Sequence, residues 1–177
     1  MTASSDKTGR IWDAASGPEI VRLAHDDEVK HAVWSPDGTR LVAATWDRIA
    51  RIWAGTNGRE VARLVHEDDV RYAEWSPDGT RLVTASWSNT ARMWDGTTGK
   101  ELARLGYDGD VNHAAWSGHV GADGATAIIT ASDDKTAGIW HVSMTTQALV
   151  NAAKVRAPAC LTQEQRRAYF LPEAPPT

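Results

Sequence analysis

The chain has 177 residues, 42% hydrophobic and 24% charged, with a formal net charge of −4, which suffices for one domain with a buried core. The acidic balance speaks against nucleic acid as a partner, and no apolar run reaches the length of a membrane span. The N-terminus lacks the pattern of a signal peptide, and the single cysteine, Cys160, excludes an intrachain disulfide and fits a reduced, cytoplasmic setting.

Nine Trp against one Phe is the signature of repetition. Trp12, Trp53, Trp94 and Trp140 end short apolar runs and lie 41, 41 and 46 residues apart. Trp34, Trp75 and Trp116 repeat at 41, as do Trp46 and Trp87. In chain order, residues 1–25 supply GRIWD, a Ser16-Gly17 turn and a further strand. Residues 26–66 contain the alternating runs VKHAVW, TRLVAAT, ARIW and EVARLV, separated by Pro36-Asp37-Gly38 and Asn57-Gly58. Residues 67–107 repeat that order with Pro77-Asp78-Gly79 and Thr98-Gly99. Period-two runs of four to seven residues predict strands, and the Pro-Asp-Gly segments predict turns. In residues 108–142 the counterpart of SPDGTRLV is SGHVGADGATAII, an insertion of five residues. Each full unit predicts a four-stranded antiparallel meander that must stack on its neighbours to bury both faces. Residues 146–156 and 162–170 read as helices, the second opened by the capping box Thr162-Gln163-Glu164-Gln165. A Pro-rich end closes the segment 143–177.

A period of about 41 with a terminal Trp-Asp resembles the WD-repeat β-propeller family, in particular its bacterial version with wording of the type SPDGTRLVTAS…ARMWDGTTGKELARL. The fold implied is all-β, with propeller blades of four antiparallel strands and a short helical C-terminal tail. The blades would be a partial one over 1–25, full ones over 26–66 and 67–107, and a three-stranded one over 108–142. The ending LTQEQRRAYF is similar to segments that follow the last blade in larger bacterial WD-repeat proteins. Four units with incomplete ends form an open arc, since a closed ring takes about 4 to 8 complete blades and seven of them would need roughly 287 residues. The arc is expected either to continue in a longer chain or to self-associate as a homo-oligomer.

The resemblance further implies a hydrogen-bonded group in each blade, formed by a His, a Ser or Thr, an Asp and the Trp. By position the His sites are His25 and His66, with Tyr107 departing from the pattern; the hydroxyl sites include Thr2, Thr84 and Thr130; the Asp sites include Asp6, Asp47 and Asp134; and the Trp are Trp12, Trp53, Trp94 and Trp140. Ala43 replaces a hydroxyl and Ser88 replaces a carboxylate, so the Ser88 blade is expected to open more readily. One copy per repeat argues for packing and against a hydrolase triad, which needs a single exposed nucleophile.

The turns before the first strand and between the second and third strands fall on one blade face, the partner-binding face that the resemblance implies. That face collects Trp46, Trp87 and Asp133, with Lys30, Arg71 and Asn112 at the strand entrances beside Glu28, Asp69 and Asp110. Large aromatics and an Arg in a charged surround are features of a binding hot spot. The alternative is that the Trp pair simply packs between blades. Runs such as His25-Asp26-Asp27-Glu28 contain oxygen ligands, but their His are claimed by the tetrads and no calcium-loop spacing appears, so neither metal nor cofactor is expected. Arg10, Arg51 and Arg92 recur with Glu19, Glu60 and Glu101 and are expected to pair across solvated strand edges. His31 and His113, at the same strand position as Tyr72, are the nearest candidates for a channel metal in an enzyme reading. The function expected is protein recognition without catalysis.

Overall fold

A computed structural model describes residues 1–117, 125–143 and 154–158; for 125, 143 and 154–158 the description is of the backbone. Four meanders follow one another. The first has β1 (Thr2–Ala3), β2 (Thr8–Trp12) and β3 (Glu19–Ala24). The second is β4 (Val29–Trp34), β5 (Arg40–Thr45), β6 (Ile49–Ala54) and β7 (Glu60–Val65). The third is β8 (Val70–Trp75), β9 (Arg81–Ser86), β10 (Thr90–Asp95) and β11 (Glu101–Gly106). The fourth is β12 (Val111–Trp116), β13 (Ala125–Ser132), β14 (Thr136–Ser143) and β15 (Lys154–Pro158). Every pairing is antiparallel between consecutive strands, so each sheet is built from local contacts.

β15 corrects the sequence reading in two ways. It gives the fourth unit a fourth strand, where three were expected. It also places Lys154, Val155 and Arg156 in a ladder with β14, where the end of a helix over 146–156 was expected. The edge of β14 offers a row of backbone donors and acceptors, and a pairing strand satisfies them where a helix cannot. The second expected helix, residues 118–124 of the inserted loop 117–124, and Cys160 lie outside the described residues.

The turns carry out what their residues allow. Gly38 and Gly79 adopt φ of 69° in the two Pro-Asp-Gly turns, a conformation that costs a side chain but not Gly. Asp37 accepts from the Ser35 hydroxyl at 2.5 Å and from the Thr39 amide at 3.0 Å, closing the turn on itself. Those donors hold the Asp37 carboxyl down at about 2. The hairpins between β5 and β6 and between β9 and β10 turn through Arg48 and Asn89 at positive φ, 68° and 59°.

Three apolar clusters lie between successive sheets. Ile11 and Leu23 of the first sheet meet Leu41 and Trp53 of the second. Val42, Ala44, Ala50 and Ile52 then meet Val70, Trp75, Leu82 and Trp94. Val83, Ala85, Ala91 and Met93 meet Trp116, Ile128, Trp140 and Val142. Each interior sheet therefore buries one alternate set of side chains against the preceding sheet and the other against the following one. Among the described residues, the same alternation leaves one face of the first sheet and one face of the fourth without a neighbouring sheet. Trp12 is 37% exposed, whereas its counterparts Trp53, Trp94 and Trp140 are 9%, 4% and 3% exposed. Ile129 is 44% exposed, whereas its counterparts Val42 and Val83 are fully buried.

Candidate functional site

The innermost strand of each of the last three sheets carries a β-bulge at the same place. Register shifts fall between Val29 and His31, Val70 and Tyr72, and Val111 and His113. The extra residues are Lys30, Arg71 and Asn112. A bulge removes a residue from the ladder and re-aims its side chain, and here all three arrive at one rim. The residues just before them hold the other half of the rim through the backbone. The carbonyls of Glu28, Asp69 and Asp110 accept the amides of Trp46, Trp87 and Asp133 at 3.1, 3.0 and 2.9 Å.

The side chains then form one continuous row. Lys30 pairs with Glu28 and lies over the Trp46 ring, its Nζ 3.5 Å from the centroid. The Trp46 and Trp87 rings meet at 5.7 Å, tilted by 34°. The Arg71 guanidinium lies over both, 4.8 Å from Trp87 and 5.9 Å from Trp46. Trp87 Nε1 donates to Asn112 Oδ1 at 3.2 Å, and Asn112 Nδ2 donates to Asp133 Oδ1 at 2.5 Å. Both indoles are half-buried. The Trp pair thus packs between adjacent sheets and also forms part of the rim. Burial raises the Asp69 carboxyl above its usual range, and the neighbouring Asp68, Asp27 and Asp47 raise it further.

Below the rim, a second row crosses the innermost strands. His31 stacks on Tyr72 at 4.1 Å, and Tyr72 meets His113 at 4.0 Å. Tyr72 therefore stands between the two imidazoles that the enzyme reading would bring to one metal.

The interior groups vary from blade to blade. His66 Nδ1 lies 2.9 Å from the Leu64 carbonyl, so it carries the proton and Nε2 accepts. The Thr84 hydroxyl donates to that Nε2 at 2.8 Å, and Trp94 Nε1 donates to Thr84 Oγ1 at 2.9 Å. This neutral chain, deep in the core, accounts for a His66 pKa pushed down to about 3, by burial first and by Arg92 second. In the fourth sheet Trp140 Nε1 donates to Tyr107 at 2.9 Å, and Tyr107 meets the Thr130 hydroxyl. In the first sheet Trp12 Nε1 donates to Thr2 at 3.1 Å. The His25 blade has no hydroxyl at Ala43, and both His25 Nε2 and Trp53 Nε1 are buried without a partner.

At the Ser88 position the lost carboxylate is partly replaced by hydroxyl contacts, while Arg92 Nη2 and Trp75 Nε1 of the same sheet are buried without a hydrogen-bond partner. Ser88 bonds the Ser86 and Thr90 hydroxyls at 3.0 and 2.8 Å, and the His66–Thr84–Trp94 chain closes without a carboxylate. The Asp positions do separate work. Asp47 and Asp134 accept the amides of Asp26 and Asp108 at 3.3 and 3.1 Å, bracing the loop that enters the next innermost strand. In the first sheet, Asp6 accepts the Thr8 amide at 3.0 Å and pairs with Arg10.

The arginine ladder departs from the sequence reading. Arg51 and Arg92 do reach Glu60 and Glu101 across the strands, both at 3.5 Å, but these arginines are only 2% exposed. A guanidinium in that position needs compensation. Arg51 finds it in Asp47 at 2.5 Å and Asp26 at 2.7 Å. Burial pushes the Asp47 carboxyl up, but the Thr45 hydroxyl and Arg51 outweigh it and hold the group below its usual range. Arg92 has Ser88 where Arg51 has Asp47, and takes the Val65 carbonyl at 3.0 Å and Glu67 instead. The repeated Arg of the sequence was the available sign of these interior cations. At the fourth occurrence the Arg is replaced by Gly138, where a Cβ would lie 2.4 Å from the Tyr107 hydroxyl oxygen. Tyr for His and Gly for Arg are therefore one coupled exchange of volume.

Comparison with known proteins agrees with this architecture. The family model described as WD domain, G-beta repeat, matches residues 18–54 and 58–95. The crystal structure of the computationally designed Ika8 protein superposes with a TM-score of 0.67 at 20% identity, over 78% of this chain and 41% of that one. The likeness concerns the fold alone, and the chain spans about two fifths of that structure's length. A search of curated proteins finds no match. The described residues are accordingly all-β, one three-stranded and three four-stranded antiparallel sheets, with WD40 repeats matched over 18–54 and 58–95.

Proposed function

We propose that this chain is a protein-recognition module, the scaffold or sensor part of a bacterial WD-repeat protein, working from the rim of its innermost strands and performing no chemistry of its own. The observation that carries this reading is the unbroken row Lys30–Trp46–Arg71–Trp87–Asn112–Asp133, assembled by three equivalent bulges. Half-buried Trp and Arg on a pre-formed surface are the residue types that dominate binding energy at protein interfaces. WD40 domains generally mediate contacts between proteins, and a chain with net charge −4 suits a protein partner better than nucleic acid. No helix among the described residues is long and apolar enough to cross a membrane; we place the module in the cytoplasm on its sequence character. Neither a metal nor a cofactor enters this reading.

The test uses the immobilised chain and a Trp46→Ala, Trp87→Ala double variant, with circular dichroism to establish that both fold. The expected result is a discrete set of proteins from a bacterial lysate retained by the parent and lost by the variant. Identical retention by both would refute the rim as the recognition surface.

A second reading, assembly into a ring with another copy, is favoured by the bare Trp12 and Ile129 faces, which are the two halves of the contact made three times inside the chain. Light scattering on a size-exclusion column tests it. A two-chain mass is expected, and a monomer at micromolar concentration would refute it.

A further inference from the structure

The three bulge positions are equivalent in the backbone and unequal in how their side chains are satisfied. Lys30 is closed by Glu28, two residues earlier on the same strand entrance. Asn112 is closed on both ends of its amide, by Trp87 and Asp133. Arg71 is half-buried over two indole rings, and among the described residues its guanidinium has no ion pair or hydrogen bond. The residue that corresponds to Glu28 is Asp69, and the two do not pair. Asp69 instead lies among Asp68, Asp27 and Asp47, and burial first and these charges second push its carboxyl up. A guanidinium that rests on ring faces keeps the in-plane N–H donors at its edge for another acceptor, and its fork geometry matches a planar carboxylate.

Resting on the recognition reading above, we propose that Arg71 is the specificity residue of the rim and that it takes the carboxylate of an Asp or Glu side chain from a bound protein segment. The surrounding charge narrows the segment further. Glu28, Asp69, Asp110 and Asp133 border the row and oppose any polyanion, so the bound carboxylate is single and flanked by basic residues that meet these acids. Lys30 does not compete for the anchor, because Glu28 already neutralises it.

The experiment follows the Arg71 Nε–H and the Trp46 and Trp87 indole N–H resonances in the full chain, assigned with Arg71→Lys and the single Trp variants. The probes are the capped tripeptide Lys-Glu-Lys, the capped tripeptide Lys-Gln-Lys, and inorganic phosphate at matched ionic strength. The expected result is a saturable shift with Lys-Glu-Lys, on the order of tenfold weaker with Lys-Gln-Lys and on the order of tenfold weaker in Arg71→Lys, which keeps the charge and loses the fork. Equal affinity for the two peptides would overturn the carboxylate assignment and leave the recognition surface standing. Saturable binding of phosphate as tight as that of Lys-Glu-Lys would overturn the assignment in favour of a phosphoryl anion. Absence of any shift at Arg71, Trp46 and Trp87 with all three probes would overturn the proposal. Retention by the parent and double-Trp chains then decides separately whether the rim binds protein.

Discussion

Ala43→Thr tests the account of the blade interiors most directly. His25 Nε2 and Trp53 Nε1 are buried without partners, and their rings meet at 5.4 Å. In the neighbouring blade the corresponding rings, His66 and Trp94, meet at 5.2 Å with the Thr84 hydroxyl bonded to both. Ala43 pairs with Arg51 as Thr84 pairs with Arg92, so the new hydroxyl is delivered from the same ladder position. Each restored bond is worth about 0.5–1.5 kcal/mol net, with relief of two unsatisfied buried atoms in addition and a cost for seating the larger side chain. The expected gain is about 2 kcal/mol, which for a domain of this size raises Tm by roughly 4–8 °C. Ala43→Val is the control, since it has the shape of Thr without the hydroxyl. Urea and thermal unfolding of the three proteins, followed by Trp fluorescence, give the comparison. If Thr is no more stable than Val, the hydroxyl is not what the site lacks and the reasoning fails.

The remaining predictions concern the intact groups. Thr84→Ala strips both bonds of the closed chain at once and is expected to cost about 1–3 kcal/mol by urea unfolding; a change below about 0.5 kcal/mol would count against the chain. Gly138→Ala places a Cβ 2.4 Å from the Tyr107 hydroxyl oxygen and 2.6 Å from Thr130 Oγ1, and is expected to lower stability by about 1–3 kcal/mol; a Gly138→Ala protein as stable as the parent would show that Tyr107 has room to move. His25 and His66 titrate near 6.5 when unfolded and are held down at about 4 and about 3 when folded, by burial first and by Arg51 and Arg92 second. Their contribution is therefore complete above 6.5 and is lost as pH falls from there toward about 4 and about 3. Glu74 and Asp69, raised by burial, act in the opposite sense. The urea midpoint should consequently fall between about pH 7 and pH 4.5, and a constant or rising midpoint would refute neutral, hydrogen-bonded imidazoles.

Much of the fold was legible in the chain because repeats make it so. The recurrence of Trp12, Trp53, Trp94 and Trp140 located the blades, and period-two alternation located strands whose faces are both buried by neighbours. The Pro-Asp-Gly turns announced themselves through residues that preset φ. The rim was legible as a set of positions, since equal spacing brings Trp46 and Trp87 to the same place in adjacent sheets. Two kinds of information were missing from the one-dimensional pattern. The ladder partner of Lys154–Pro158 is β14, and an edge strand with little apolar alternation cannot be told from a short helix by periodicity. The burial of Arg51 depends on Asp26, Asp47 and Glu60 and that of Arg92 on Glu67 and Glu101, acids from separate loops and strands that no local pattern reports.

The sequence by itself determined the strand order, the meander topology and the variation among blades, because each depends on neighbours close along the chain and on residues copied at a fixed period. Ala43, Ser88 and Tyr107 stand out against that period without any coordinates. Only the tertiary structure decided what those exceptions mean. Bulges at Lys30, Arg71 and Asn112 turned three strand entrances into one row, a consequence of backbone register. The stacking of sheets left His25 Nε2 and Trp53 Nε1 unpaired beside Ala43 and gave Ser88 the hydroxyls of Ser86 and Thr90, because hydrogen-bond satisfaction depends on partners supplied from adjoining strands and loops.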